Sequence, residues 1–218
     1  MARQYSFVTD FDGTISDRDF FWLAIDDILG REALRYWQEY VDGRATHFEA
    51  LRSMFARIHI PEDRLNALID TINIDPYFEA VAAFCKEKDI PLFICSAGCD
   101  YYISRKIGPL IKKYDIKLVT NHADYAPETG LVLSPPPETS PYFDADVGIS
   151  KLSVVERQKA DGREVVFAGD GYPDIPAACR ADYVFARDVL LQKLPNKGNV
   201  EPLRSFAEIL TLLKEKMS

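Results

Sequence analysis

Two rhythms of apolar and polar residues run through this chain. Short runs rich in β-branched and aromatic residues fall at Tyr5 to Thr9, Pro91 to Cys95, Lys117 to Thr120, Glu164 to Ala168 and Tyr183 to Ala186. Most are separated by stretches with helical spacing, and that alternation predicts an α/β protein with a parallel sheet and crossover helices. Local signals support the helices. Asp75-Pro76 offers an N-cap and an N1 proline to the stretch from Tyr77 to Asp89, Thr46 to Glu49 fits a capping box, and the last helix is expected from Pro202 to Lys216.

One connection is too long for a simple crossover. About 75 residues separate the first strand from Pro91, where a whole βαβ unit needs about 30. Residues 16–74 read as all helical, with patterns over Asp19 to Leu29, Glu32 to Tyr40, Phe48 to Ile58 and Glu62 to Ile72. A small helical cap is therefore expected over the carboxyl edge of the sheet, where α/β proteins bind ligands. The division is 1–15 and 75–218 for the core, and 16–74 for the cap. Asn121 to Leu133 reads as a β-hairpin turning at Pro127 to Gly130, and Ser134 to Pro141 as a stiff extended connection.

Composition narrows the partners. Apolar residues make up 47% and charged residues 28% of the 218, as in an ordinary globular protein. A net charge of -8 with scattered basic residues argues against a nucleic-acid partner. No apolar stretch approaches the roughly 18 residues of a membrane span, and the first strand begins by about residue 5, so no membrane partner and a cytoplasmic location are expected. Cys85, Cys95, Cys99 and Cys179 show no zinc or C-x-x-C spacing and read as reduced, mostly buried thiols. A monomer or a homodimer fits this composition.

The chemistry gathers at the ends of the predicted strands. Asp10 and Asp12 follow the first, Ser96 the second, and Asp170 the strand before Gly-Asp-Gly, with Asp174 close behind. In a parallel sheet these ends share one edge. Two unit charges about 4 Å apart repel by roughly 4 kcal/mol at an effective dielectric near 20, so the carboxylates call for a cation. All-oxygen ligands without His or Cys point to Mg²⁺, which commonly takes a substrate phosphate as a further ligand. The Asp10 to Thr14 stretch lacks EF-hand spacing, and Cys95 to Cys99 is not a serine-hydrolase elbow. Lys151 opens a helical pattern before the strand that carries Asp170, and its amine is placed to reach the same edge.

Taken in order, D-x-D-G-T at Asp10 to Thr14, Ser96, Lys151 and G-D-G-x-x-D at Gly169 to Asp174 resemble the haloacid dehalogenase (HAD) superfamily of aspartate-nucleophile phosphatases over nearly the whole chain. The helical insertion resembles the cap of the branch containing phosphoserine phosphatases. Phrases such as Asn121-His122-Ala123 and Phe185 to Asp188 resemble the methionine-salvage phosphatases acting on 2-hydroxy-3-keto-5-methylthiopentenyl-1-phosphate, although Gly171 stands where that group has Ser.

The resemblance implies a Rossmann-like core and Mg²⁺-dependent hydrolysis of a small phosphorylated metabolite through an aspartyl-phosphate. It implies Asp10 as nucleophile and Asp12 as acid and base. The implied metal ligands are Asp10 and Asp170 by carboxylate, Asp12 by backbone carbonyl, and Asp174 directly or through water. Ser96, Ala97, Gly98 and Lys151 would hold the phosphoryl oxygens. Specificity candidates in the cap are Asp17, Arg18, Asp19, Phe20, Phe21 and Trp22, with Arg52 and Arg57 as partners for a substrate carboxylate. The family's cap arginine aligns near Met54, so its role does not transfer to either one. A phosphoserine phosphatase, a phosphotransferase and a phospho-aspartate signalling domain are the competing readings.

Overall fold

The computed structural model describes residues 4–194 and 198–217. The chain runs β1 (Gln4–Thr9), α1 (Phe20–Ala24), α2 (Leu34–Val41), α3 (His47–Phe55), α4 (Glu62–Asp70), α5 (Phe78–Glu87), β2 (Leu92–Cys99), α6 (Asp100–Tyr114), β3 (Lys117–Ala126) and β4 (Gly130–Ser134). It continues through β5 (Phe143–Asp144), β6 (Gly148–Ile149), α7 (Lys151–Ala160), β7 (Arg163–Gly169), α8 (Ile175–Arg180), β8 (Tyr183–Ala186), α9 (Asp188–Lys193), β9 (Val200–Pro202) and α10 (Phe206–Lys216). Among the described residues the main sheet has the order β4-β3-β2-β1-β7-β8-β9, parallel except for the β3–β4 pair.

The sheet is buried on both faces, which explains the nearly unbroken apolar strands. Alternation along each strand divides the core in two. Tyr5, Phe7, Leu92, Ile94 and Val166 join α5, α6 and α10 on one face, while Val8, Phe93, Val165, Phe167 and Val184 pack with α7 and α8 on the other. The first of these cores runs on into the helical segment through Phe20, Leu23, Leu51, Met54 and Phe55.

The two ends of that segment are tied together at its base. Ser16 bridges Ile74, and the Asp17 carboxylate accepts from the Asn73 backbone at 2.9 Å and its side-chain amide at 2.7 Å. The β3–β4 hairpin rises beyond the sheet to meet the segment. There the Tyr125 hydroxyl donates to the Ile60 carbonyl, and the His59 Nδ1 lies 2.8 Å from the Pro127 carbonyl. A third fastening comes from the loop between β5 and β6, where Asp146 accepts from the backbone N–H groups of His47 and Phe48.

The capping box forms as expected, with Thr46 and Glu49 exchanging hydrogen bonds. Several boundaries differ from the expectation. Asp75 accepts from the Tyr77 amide, but α5 begins only at Phe78. The stretch from Asp19 to Leu29 is helical but changes to π-helix at Ile25. The chain from Val200 to Pro202 adds an edge strand, so the last helix starts at Phe206, where Ser205 caps it. After the extended prolines the connection to α7 makes the small β5–β6 pair. Cys85, Cys95 and Cys99 are buried, whereas Cys179 is exposed. No described helix is long and apolar enough to cross a membrane.

Candidate active site

Strand register brings the predicted site together. Thr9 pairs with Ile94 on one side and Ala168 on the other, so Asp10, Ser96 and Asp170 leave the same edge within about one residue of each other. The turn after β1 then depends on Gly13, whose φ of 67° lies in the region that disfavours side chains and where a Cβ would stand 2.6 Å from the Asp170 Oδ2.

Lys151 is the centre of the charge arrangement. Ser150 caps α7, accepting from the Ser153 amide at 3.2 Å, which puts Lys151 at the first helical position with its side chain turned inward and 3% exposed. Its Nζ lies 2.8 Å from the Asp10 Oδ1 and 2.6 Å from the Asp174 Oδ1. The second Asp174 oxygen accepts from the backbone N–H groups of Asp170 and Gly171 at 3.0 and 2.9 Å. Burial works against the charged amine, but Asp10 and Asp174 more than offset it and hold its pKa above that of an ordinary lysine.

Asp10, Asp170 and Asp174 each place an oxygen within 4.8 Å of the other two. Burial pushes the Asp10 carboxyl well up, with Lys151 opposing and Asp174, Asp170 and Asp12 adding to the rise. Asp170, which accepts from the Thr14 hydroxyl at 3.3 Å, is raised to about 6 by burial and by Asp174. A donor set made only of carboxylate oxygens suits a hard divalent cation, which would supply the missing positive charge.

Asp12 has a different setting. Its carboxylate turns away from that cluster and accepts from the Tyr102 hydroxyl at 2.6 Å, the Ser96 hydroxyl at 3.1 Å and the Phe20 amide at 3.1 Å. Burial raises its pKa while those three bonds oppose the rise. Tyr102 approaches so closely that a Cβ on Gly98 would lie 1.6 Å from its hydroxyl. The register of β2 against β3 shifts between Ser96 and Cys99, and this bulge carries Ala97 and Gly98 into the wall of the site.

Above the carboxylates lies a cavity of about 250 Å³. Phe21, Trp22, Trp37, Tyr40, Phe55 and Tyr172 supply its aromatic walls, with Trp22 and Tyr172 exposed at 43% and 58%. Lys151 is the one Lys or Arg side chain among the described lining residues.

Asp10, Asp12, Ser96, Ala97, Gly98, Lys151, Asp170 and Asp174 all line this cavity. A family model for haloacid dehalogenase-like hydrolases matches residues 7–178. The chain belongs to that family. Among the relatives of this hydrolase, a Geobacillus kaustophilus (strain HTA426) protein named 2-hydroxy-3-keto-5-methylthiopentenyl-1-phosphate phosphatase is 30% identical, covering 98% of this chain and 97% of its own. A Lysinibacillus sphaericus (strain C3-41) protein of the same name is 27% identical over 95% of this chain and 93% of its own. A solved phospho-aspartyl intermediate analogue of phosphoserine phosphatase shares the fold, with a TM-score of 0.66 at 17% identity over 97% of this chain and 99% of that one.

The specificity candidates of the hydrolase separate. Asp19 lines the cavity, and its carboxyl accepts from the Phe21 amide at 2.7 Å and is raised to about 8 by burial and by Asp12. Phe21 and Trp22 line it as well. Asp17 stays at the base with Asn73, and Arg18 pairs with Asp26 and Asp27. Phe20 is fully buried, stacked on Tyr102 at 4.3 Å. The guanidinium of Arg52 covers Phe48 and that of Arg57 covers Tyr36, both at 5.9 Å; neither residue lines the cavity.

Sequence reasoning missed Thr14, Trp37, Tyr40, His47, Tyr102 and Tyr172. Thr14 belonged to a motif already quoted, and its hydroxyl was a readable ligand for Asp170. Tyr102 had only its place just after the second strand to mark it. The others depend on how the helical segment lies over the sheet.

Proposed function

We propose that this hydrolase is a Mg²⁺-dependent phosphomonoesterase that works through phosphorylation of Asp10, with residues 16–74 as its cap. The observation that carries the reading is the unequal setting of two aspartates spaced two residues apart. Asp10 lies 2.8 Å from the Lys151 ammonium and faces the other carboxylates, whereas Asp12 is held by three neutral donors, Tyr102, Ser96 and the Phe20 amide. An anionic nucleophile suits the place beside the ammonium, and a group that gives and takes a proton suits the place without a cation contact.

In this mechanism an Asp10 oxygen attacks phosphorus while the bond to the leaving oxygen breaks and Asp12 gives that oxygen its proton. The alcohol then departs, Asp12 takes a proton from water, and the resulting attack on phosphorus releases phosphate and restores the Asp10 carboxylate. Splitting the displacement in two lowers each barrier, and the proton transfers contribute typically 10²–10⁴-fold.

The Lys151 ammonium, Ser96 hydroxyl and bulge residues Ala97 and Gly98 hold the phosphoryl oxygens. Asp10, Asp170, the Asp12 carbonyl and Asp174, directly or through water, would hold the metal. When bound, Mg²⁺ supplies positive charge that relieves carboxylate repulsion and draws electron density from the phosphoryl group.

Aromatic walls without an arginine favour an uncharged, partly apolar leaving group. A thioether tail packs well on aromatic rings, so the methylthiopentenyl phosphate in the relatives' names is the leading substrate among small phosphorylated metabolites. Placement of Arg52 outside the cavity counts against phosphoserine. Free cysteines suit the reducing cytoplasm.

The test is phosphate release with Mg²⁺ and with EDTA, over methylthiopentenyl phosphate, phosphoserine, choline phosphate, pyridoxal phosphate, sugar phosphates and a generic aryl phosphate. Metal-dependent release that Asp10→Asn abolishes is expected. No release from any member, or transfer to an added alcohol exceeding release, would defeat the hydrolase reading.

A further inference from the structure

His47 is the first residue of α3, and its backbone N–H is fixed by the Asp146 carboxylate at 3.1 Å. The imidazole is held edge-on by two rings of the cavity wall, 5.2 Å from Trp37 at 79° and 5.5 Å from Tyr40 at 86° between planes. The side chain lines the cavity and is 7% exposed. Its Nδ1 is buried with no hydrogen-bond partner among the described residues.

That combination is unusual. Buried polar atoms are nearly always paired, and a neutral imidazole has one donor and one acceptor to satisfy. The surrounding aromatic faces offer at most a weak N–H···π contact and no donor to the ring's lone pair. Burial, with Lys151 adding to it and Asp146 opposing, lowers the pKa to about 4, so the ring is neutral at physiological pH and suited to a neutral partner. Nδ1 is closed off as the ring stands, but the side chain borders the cavity, so a turn of the imidazole would bring that nitrogen to a partner bound there.

We infer that His47 hydrogen-bonds an uncharged oxygen, a carbonyl or hydroxyl, on the leaving group of the phosphomonoester. His47 is then a specificity-determining residue that selects an oxygenated leaving group within a largely aromatic wall. This rests on the phosphatase reading above. It adds a polar requirement that the aromatic walls alone would not impose.

The experiment compares kcat/KM for 2-oxopentyl phosphate and pentyl phosphate, with choline phosphate as a third substrate, in wild type, His47→Phe and His47→Asn. Both alkyl substrates are measured on one preparation of each variant, so the folded fraction cancels from their ratio. Wild type is expected to favour the oxo substrate by about tenfold, in keeping with one net hydrogen bond. His47→Phe should bring the ratio close to one, and His47→Asn, which keeps a donor and an acceptor near the Nδ1 position, should restore part of it.

A wild-type ratio near one, or a preference that survives His47→Phe, would overturn the inference alone. Choline phosphate turned over faster than both would also overturn it, because the wall would then be reading a cation. If wild type hydrolyses no phosphomonoester, the phosphatase reading falls and this inference with it.

Discussion

Replacing Lys151 by Met tests the charge arrangement with little change in side-chain volume. The Nζ is 2.8 Å from Asp10 and 2.6 Å from Asp174, and the three side chains are 3%, 9% and 0% exposed. At an effective dielectric near 20, each contact is worth roughly 6 kcal/mol of attraction before desolvation. Desolvating the ions opposes this by several kcal/mol apiece, so the intact set nets little, but removing one partner of a buried pair typically costs about 3–5 kcal/mol.

Lys151→Met should therefore lose about 4 kcal/mol of unfolding free energy at neutral pH, read from urea titrations in EDTA with an unchanged denaturant slope. The deficit should also depend on pH in a definite direction. Burial holds folded Asp10 above its ordinary 3.8, and Lys151 opposes that rise; without the lysine the folded carboxyl binds its proton more tightly still. A carboxyl raised on folding contributes stability below its unfolded pKa and loses it as pH rises through the folded value. The variant should lie near wild type around pH 4 and fall progressively further behind as pH rises. A destabilisation below about 1 kcal/mol, or one that does not change with pH, would refute the reasoning.

Asp12→Asn should lower kcat by about 10²–10⁴-fold, since the amide can neither give nor take the proton; phosphate-release kinetics near the wild-type rate would refute its role. Tyr102→Phe removes the shortest of the three bonds to Asp12, one of a kind worth about 1.5–3 kcal/mol to the ionised form. It should raise the Asp12 pKa further, because a bond that favours the ionised form is lost, moving the alkaline limb of the kcat/KM profile to higher pH; an unmoved limb would refute the link. Gly98→Ala forces the Tyr102 hydroxyl away, so kcat should drop, whereas a value within about twofold of wild type would show that the packing yields. Mg²⁺ at 100 times its Kd should stabilise the fold by about 2.7 kcal/mol, a melting rise of roughly 5–10 °C, and Asp170→Asn should reduce that rise; an unchanged melting temperature would count against the metal site.

The site's lower half was legible in the sequence because one rule governs it. Strands of a parallel sheet end on one edge, so Asp10, Ser96 and Asp170 could be brought together from strand order alone. Lys151 and Asp174 followed from short distances along the chain to those ends. The upper half was not legible. Trp37, Tyr40 and His47 reach the cavity through the packing of α2 on α3 and of α3 against β4, and neither residue spacing nor helical periodicity contains that orientation. Arg52 shows the same gap in reverse: a cation in the helical segment looked suited to a carboxylate, but its helix turns it onto Phe48. The edge strand from Val200 to Pro202 is half-exposed and ends in proline, which hid it behind the signal for a proline-started helix.

The fastenings around the helical segment decide where the entropy of recognition is spent. Asp17 with Asn73, Tyr125 with Ile60, and Asp146 with His47 and Phe48 hold it on separate sides. The aromatic walls are thus set in place when the chain folds, and a ligand does not have to order them at about 0.5–1.5 kcal/mol per side chain. Only the exposed rings of Trp22 and Tyr172 at the edge of the cavity keep the freedom of surface side chains, whose rotation takes picoseconds to nanoseconds.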